Sequence, residues 1–310
     1  MKNDMIDIKK LARDISRVEN DTPEAKALLD AAWKSGKYAY RIGITGPPGS
    51  GKSTLVNCLA SLFSDAGKKT AVISVDPSSP FTGGAILGDR IRMNELSGKT
   101  NVYIRSMATR GSLGGLSMKT HDVCDILDGH GFDVILIETV GVGQIELDIA
   151  QAADVTMTVL VPESGDDIQA MKAGIMEISD IFVVNKSDRH GVNAMVLNLQ
   201  SLVNLRNKYS TLPWEQPVIK TVATKNKGVQ RLYEVLDEYK NMLKKDDHWQ
   251  EVRNERLKNK VLQLIDDSLA RSFWTPERKR FLHKELLAAF EKKQSPFRIA
   301  EKLLSSLRKT

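Results

Sequence analysis

Residues 46–54, Gly-Pro-Pro-Gly-Ser-Gly-Lys-Ser-Thr, carry the pattern G-x-x-x-x-G-K-S. Glycines at Gly46, Gly49 and Gly51, with Pro47, Pro48 and Ser50 between them, let the backbone curl and aim successive N–H groups at phosphate oxygens. Lys52 then reaches the β/γ-phosphates, the Ser53 hydroxyl is placed for Mg²⁺, and Thr54 lies in the first turn of a helix whose positive end faces the anion. Such a loop has to join a strand to a helix. The β-like run Tyr40 to Ile44 precedes it, and Leu55, Val56, Leu59 and Leu62 follow at helical spacing.

Asn185-Lys186-Ser187-Asp188 directly follows the apolar run Ile181 to Val184. An Asp188 carboxylate there accepts from both N1–H and the exocyclic amine of guanine. Adenine offers an acceptor at N1 and lacks the amine, so the site discriminates by several kcal/mol in favour of GTP. Lys186 lies along the base plane, Asn185 ties this loop to the phosphate loop, and Thr224 and Lys225 back the base from the other side.

Glu138 and Gly141 follow a third apolar run, Val134 to Ile137. The carboxylate is placed to hold Mg²⁺, directly or through water, and the Gly141 N–H to sense a γ-phosphate. Asp76 ends the run Thr70 to Val75 and can complete the metal shell or position water. Asp89, in the Gly-rich stretch 82–90, reads equally as a site carboxylate or as a turn or helix cap. All these candidates are oxygen donors, which favours Mg²⁺ over zinc. The implied chemistry is transfer of a phosphoryl group from GTP to water, with GDP as product. Arg90, Arg92, Arg105 and Arg110 are candidate arginine fingers or ordinary surface charges, and no general base stands out, so slow intrinsic turnover accelerated by a partner is expected.

Positioning these groups requires a sheet whose strands end together. Apolar runs at Arg41 to Ile44, Thr70 to Val75, Asn101 to Ile104, Val134 to Ile137, Val155 to Val161, Ile181 to Val184 and Val218 to Val222 alternate with helix-like segments. Several are continuous in Val and Ile, which predicts burial on both faces in a mostly parallel sheet of the α/β class. The expected organisation is an N-terminal helical extension at 1–38, a P-loop nucleotide domain at 39–240 and a C-terminal helical region at 241–310. In the extension, Ile8, Leu11, Ile15 and Val18 form one stripe, and Thr22-Pro23 read as N-cap and first position of a helix over Ala25 to Trp33. In the tail, Val252, Leu257, Val261, Leu264, Ile265 and Leu269 form a stripe that needs a partner surface. Further helix surrounds the break at Ser295-Pro296.

The chain has 310 residues, a net charge of +6 and two cysteines, Cys58 and Cys124, in no metal-binding spacing. From Asn241 onward, 17 Lys/Arg stand against 10 Asp/Glu, so the basic surplus lies in the tail. Acidic residues are interleaved there and aromatic stacking positions are missing, which favours a solvated or protein-docking face over nucleic acid. Charges interrupt the first ten residues and no window approaches the ~20 apolar residues of a membrane span, so a reducing cytoplasm is the expected location.

The phosphate loop, Asp76-Pro-Ser-Ser-Pro, Thr82-Gly-Gly-Ala-Ile-Leu-Gly-Asp-Arg, Met107-Ala-Thr-Arg-Gly-Ser-Leu-Gly-Gly-Leu, Glu138-Thr-Val-Gly-Val-Gly-Gln and Asn185-Lys-Ser-Asp together resemble the MeaB/ArgK family. These are GTPase chaperones of adenosylcobalamin-dependent acyl-CoA mutases, and the resemblance spans roughly residues 5 to 270. It implies a C-terminal arm that makes a homodimer, a cobalamin mutase as partner, and gating of cofactor loading with protection or rescue of the mutase. By matching position it assigns Lys52 and Ser53 to phosphate and Mg²⁺, Asp76, Asp89 and Glu138 to the metal and catalytic set, and Asp188 to guanine. The segment from Glu163 to Ala170 resembles the family's additional switch, but Glu163 stands where a glycine is usual. Loops 77–92, 141–151 and 163–175 are expected to present different surfaces before and after hydrolysis. Methylmalonyl-, isobutyryl- and 2-hydroxyisobutyryl-CoA mutases all stay open as clients. The alternatives are a nickel-insertion GTPase, an ATP-dependent kinase of a transport protein, and a binding module in which hydrolysis is incidental.

Overall fold

The structure, a computed structural model, describes residues 6–76, 96, 98–108, 115–139, 145–164, 175–207, 213–245, 247–289 and 294–305. Each apolar run becomes a strand: β1 (Tyr40–Thr45), β2 (Thr70–Asp76), β3 (Val102–Ala108), β4 (Val134–Thr139), β5 (Val155–Leu160), β6 (Ile181–Val184) and β7 (Val218–Lys220). They form one seven-stranded sheet in the order β3-β2-β4-β1-β5-β6-β7, and every pairing is parallel. β1 lies at the centre, with Ile44 opposite Glu138 of β4 and Thr45 opposite Thr158 of β5. The ends of β1 and β4 therefore open at the same edge.

Burial on both faces explains the uninterrupted Val/Ile runs. On one face Ile42, Ile44, Leu136 and Met157 pack against α3 (Lys52–Asp65) and, further along the chain, Val229–Leu243. On the other, Ile73, Ile135 and Ile137 pack beneath α1 (Ile8–Glu19), α2 (Ala25–Lys34), α4 (Gly115–Gly129) and α5 (Ile145–Ala152). A short α6 (Ile175–Ile178) and then α7 (Val192–Asn207) follow, the latter closing a smaller cluster over Phe182 and Val184. The Val229–Leu243 helix is α8, followed by α9 (His248–Phe273), α10 (Pro276–Ala289) and α11 (Pro296–Ser305). In α1, Leu11, Ile15 and Val18 are buried, whereas Ile8 is exposed at the open first turn. α2 starts at Ala25 without a side-chain cap; Thr22 contributes through its carbonyl, which accepts from Ala25 N at 2.9 Å. Pro23 lies in the preceding turn, outside the helix.

The chain divides into two compact units, residues 1–256 and 257–310. Along the α9 stripe of the second unit, Leu257, Val261, Leu264, Ile265 and Leu269 are exposed, while in α11 Ile299 and Leu303 are buried. Among the described residues no helix is long and apolar enough to cross a membrane.

At the amino edge of the sheet Arg41 is buried, and its guanidinium donates to Asp125 Oδ1 at 2.7 Å and Asp128 Oδ2 at 2.6 Å. Burial opposes the arginine charge, but Asp128 and Asp125 outweigh it and hold the group above the ordinary arginine range. Asp154 accepts the Arg41 backbone N–H at 2.9 Å with one oxygen and Arg256 Nη1 at 2.6 Å with the other. The cluster thus joins β1, α4, the start of β5 and the first turns of α9. Burial also raises the neighbouring Cys124 thiol to about 12, which keeps it protonated and unreactive. Arg41→Ala leaves two buried carboxylates without their counter-charge and should lower stability by about 3–5 kcal/mol. Urea unfolding followed by circular dichroism measures this; a loss below about 1 kcal/mol, the range of an exposed pair, would contradict it.

Candidate functional site

The turn after β1 carries the phosphate-loop sequence, and its conformation follows from two glycines. Gly46 has φ +135°, and a Cβ there would meet Val159 O at 2.1 Å. Gly51 has φ +88° at the N-cap of α3, and a Cβ there would sit 2.4 Å from Asn185 Nδ2. Only a residue without a Cβ satisfies both the left-handed backbone and these approaches. The loop wraps Lys52, whose Nζ donates to Gly46 O at 2.8 Å and Pro47 O at 3.0 Å.

A cavity of about 870 Å³ lies against this turn. Its walls include Pro48, Gly49 and Gly51 to Thr54 on the loop side, Glu138 and Thr139 from β4, and Lys186, Ala223, Thr224 and Asn226 from the loops after β6 and β7. Ser53 Oγ donates to Glu138 Oε1 at 2.5 Å, so the hydroxyl at the head of α3 and the carboxylate at the end of β4 converge. Two oxygen donors of this kind suit a hard divalent cation such as Mg²⁺. Asp76 closes β2, whose Val75 is in register with Thr139, so its backbone reaches the same edge.

Asn185 sits behind the cavity rather than in it. Its buried amide donates to Ser50 O at 2.8 Å, and its Oδ1 accepts from Thr221 Oγ1 and Ala223 N, both at 3.1 Å. Lys186 Nζ donates to Gly49 O at 2.7 Å. Asp188 is exposed and paired with Lys225 at 2.7 Å, a hydrogen bond that holds its carboxyl below the usual aspartate range. The carboxylate therefore stays an acceptor throughout the neutral range, as pairing with N–H donors requires.

A family model described as methylmalonyl Co-A mutase-associated GTPase MeaB matches residues 11–278. The chain belongs to the MeaB family. A putative GTPase of Pyrococcus abyssi (strain GE5 / Orsay) is 46% identical over 260 residues, 84% of this chain and 80% of the relative. The GTPase ArgK of Escherichia coli (strain K12) is 34% identical over 295 residues, 92% and 88% of the two chains. The mitochondrial methylmalonic aciduria type A homolog of Mus musculus is 34% identical over 242 residues, 76% of this chain and 57% of the mouse protein. A solved structure of LAO/AO transport system kinase matches with a TM-score of 0.72 over 99% of each chain at 23% identity, a likeness of fold.

Within this MeaB-family chain the structure corrects two expectations. Arg105 is not an arginine finger: it lies mid-strand in β3, and its guanidinium is committed to Ser16 and Glu19 of α1. Residues 145–151 are not loop but most of α5, because Ile149 and Ala152 bury against the sheet. Asp89, Gly141, Arg90, Arg92 and Arg110 lie outside the described residues, as do all of 77–92 and residues 165–174. Glu163, just before that last segment, pairs with Arg189, the neighbour of Asp188, and this pairing lowers its carboxyl below the usual glutamate range.

Sequence reading missed Asn57, Cys58, Ala223 and Asn226 on the cavity wall. Asn57 is one helical turn beyond Ser53, so its position was available from the 3.6-residue period. Asn226 is left-handed, with φ +52°, in a turn whose Thr-Lys-Asn-Lys-Gly composition signals it. Ala223 carries no chemistry of its own and contributes its backbone.

Because a Cβ on Gly51 collides with the Asn185 amide, the two positions are energetically coupled. Asn185→Ala should cost roughly 2–4 kcal/mol for three lost hydrogen bonds and the buried groups left behind. Gly51→Ala in that background should then cost less than in the native chain, by at least about 0.5 kcal/mol. A double-mutant cycle on chemical unfolding measures it, and strict additivity would show that the contact does not hold the loop.

Proposed function

We propose that this protein is a Mg²⁺-dependent GTP hydrolase that serves as a chaperone of an adenosylcobalamin-dependent acyl-CoA mutase. The observation that carries the nucleotide reading is the union of the two loops: Asn185 hydrogen-bonded to Ser50, with Asp188 three residues on and braced by Lys225. That geometry supports a phosphate end at Gly46 to Thr54 and a base end toward Asp188, which is not on the cavity wall itself but two residues beyond Lys186, which is. The description of the matched family as mutase-associated supports the partner.

In this reading the backbone N–H groups of 47–54 and the head of α3 bind the phosphates, and Lys52 turns from the carbonyls of Gly46 and Pro47 to the β/γ oxygens. Ser53 and Glu138, with Asp76 and Asp89, would hold magnesium, which when bound neutralises charge on the transferring phosphoryl group. Glu138 also keeps the Ser53 hydroxyl oriented. Asp188 accepts the two guanine N–H donors, Lys186 and Thr224 flank the base, and Lys225 keeps the carboxylate ionised. Loss of the γ-phosphate releases Gly141 and the adjoining segments, and the mutase reads that change through the segment beginning at Glu163. Hydrolysis so timed gates cofactor loading and protects or reactivates the mutase.

Incubation with GTP or ATP and Mg²⁺, with and without candidate acyl-CoA mutases, should give phosphate release that is slow, selective for GTP and raised by one mutase. Lys52→Ala should remove it. Asp188→Asn should weaken GDP binding by about a hundredfold, two hydrogen bonds to a charged group being worth roughly 3 kcal/mol or more. It should favour xanthosine diphosphate, whose C2 carbonyl accepts from the new amide. Preference for ATP would overturn the Asp188 assignment, and indifference to every mutase would remove the partner.

The exposed apolar stripe of α9 supports a homodimer formed through residues 241–310, since Leu257, Val261, Leu264, Ile265 and Leu269 present a continuous helical face to solvent. Light scattering should return twice the chain mass of 34.5 kDa. Leu264→Glu with Leu269→Glu should return the mass of one chain. A native protein that already runs as a monomer would refute the dimer.

A further inference from the structure

A second cavity, of about 690 Å³, opens at the amino edge of the sheet. Its walls come from the start of β1, the turns preceding β2 and β4, and the segment joining α8 to α9. Because the strands are parallel, the six residues of β1 separate this edge from the phosphate loop by about 20 Å at ~3.3 Å per residue. It is a different site from the nucleotide cavity.

Five cations line it, Lys37, Lys68, Lys240, Lys244 and Arg253, against two carboxylates, Asp133 and Asp247. The way these cations are held is unusual. Lys240 Nζ lies 5.2 Å from the centre of the Tyr40 ring, and the Arg253 guanidinium lies between two rings, 4.7 Å from Tyr38 and 4.4 Å from Trp249. A ring face attracts a cation through its quadrupole but leaves the net charge in place. Arg253 has Asp154 only at 3.9 Å, a carboxylate already engaged by Arg256. Among the described residues none of the four lysines forms an ion pair or a side-chain hydrogen bond. Lys240 shows the crowding: burial first, then Lys244 and Lys68, move it below the ordinary lysine range. Asp133 is partly spent on the fold, since its Oδ2 accepts from Lys69 N at 2.8 Å.

A half-enclosed cavity with an excess of three positive charges focuses potential and draws anions. Its volume is that of a small-molecule site. Lysines are mobile point charges suited to phosphate oxygens, and Arg253, fixed by two rings, adds a planar donor. We propose that this cavity binds a small, multiply charged phosphate-type anion, a polyphosphate or phosphate ester. Such a ligand would bridge the start of β1 to the first turns of α9.

Inorganic tripolyphosphate titrated calorimetrically into the full chain at 0.15 M salt, with and without saturating GDP and excess Mg²⁺, tests this. One saturable site with a Kd below about 1 mM is expected, unchanged by GDP. Lys240→Gln with Lys244→Gln should weaken it at least tenfold. Lys9→Gln with Lys10→Gln, which removes the same charge from the exposed face of α1, should leave it within twofold. A response that GDP abolishes belongs to the phosphate loop and overturns the proposal. Equal loss in both double variants, or no saturable binding, overturns it as well, as does binding to phosphatidylglycerol vesicles without binding of tripolyphosphate.

Discussion

The Asn185 side chain holds three segments that are far apart in sequence. Its amide donates to Ser50 in the phosphate loop, and its oxygen accepts from Thr221 and Ala223 after β7, all within a buried pocket. A buried amide without these partners would be strongly unfavourable, so the three segments are fixed together or not at all. Gly51 is constrained by the same contact, since any side chain there would displace the amide. One residue that does not line the cavity thus fixes two of its walls, the phosphate loop and the turn after β7, against each other.

That arrangement presupposes the all-parallel sheet. Parallel strands direct every carboxyl end to one edge, and helices on both faces require strand residues that are apolar on both sides. Ser53, Glu138, Asn185 and Ala223 come from four different segments and are brought together because β1, β4, β6 and β7 end at that edge. The opposite edge is built from charge. There Arg41 is neutralised by Asp125 and Asp128, while Lys240 and Arg253 rest on ring faces and keep their charge. The two modes differ in consequence: carboxylates close a site, and aromatic faces leave it open to an anion.

The amino edge meets the long helix α9 twice. Arg256, early in α9, closes on Asp154, and Trp249 and Arg253 form one wall of the cationic cavity. The first turns of α9 are therefore tied to the strand that carries the phosphate loop, through Arg41 and Asp154 at its start.

Much of this was legible in the residues. The seven apolar runs became the seven strands, because continuous Val/Ile composition has few other uses in a chain rich in helices. The phosphate loop and the Asn-Lys-Ser-Asp loop were readable because glycine, lysine and carboxylate at fixed offsets encode local geometry. Strand order was not, since parallel strands pair through backbone groups common to all residues. Arg105 looked available as a loose cation until the fold placed it mid-strand beside Glu19. The cationic cavity was invisible for the same reason: Lys37, Lys68, Lys240 and Arg253 are ordinary charges in sequence. The sequence by itself determined which segments are strands and where the phosphate-loop and Asn-Lys-Ser-Asp motifs fall, because those depend on local spacing and composition. Only the tertiary structure decided which charges are neutralised and which remain, because that depends on neighbours brought together across tens to hundreds of residues.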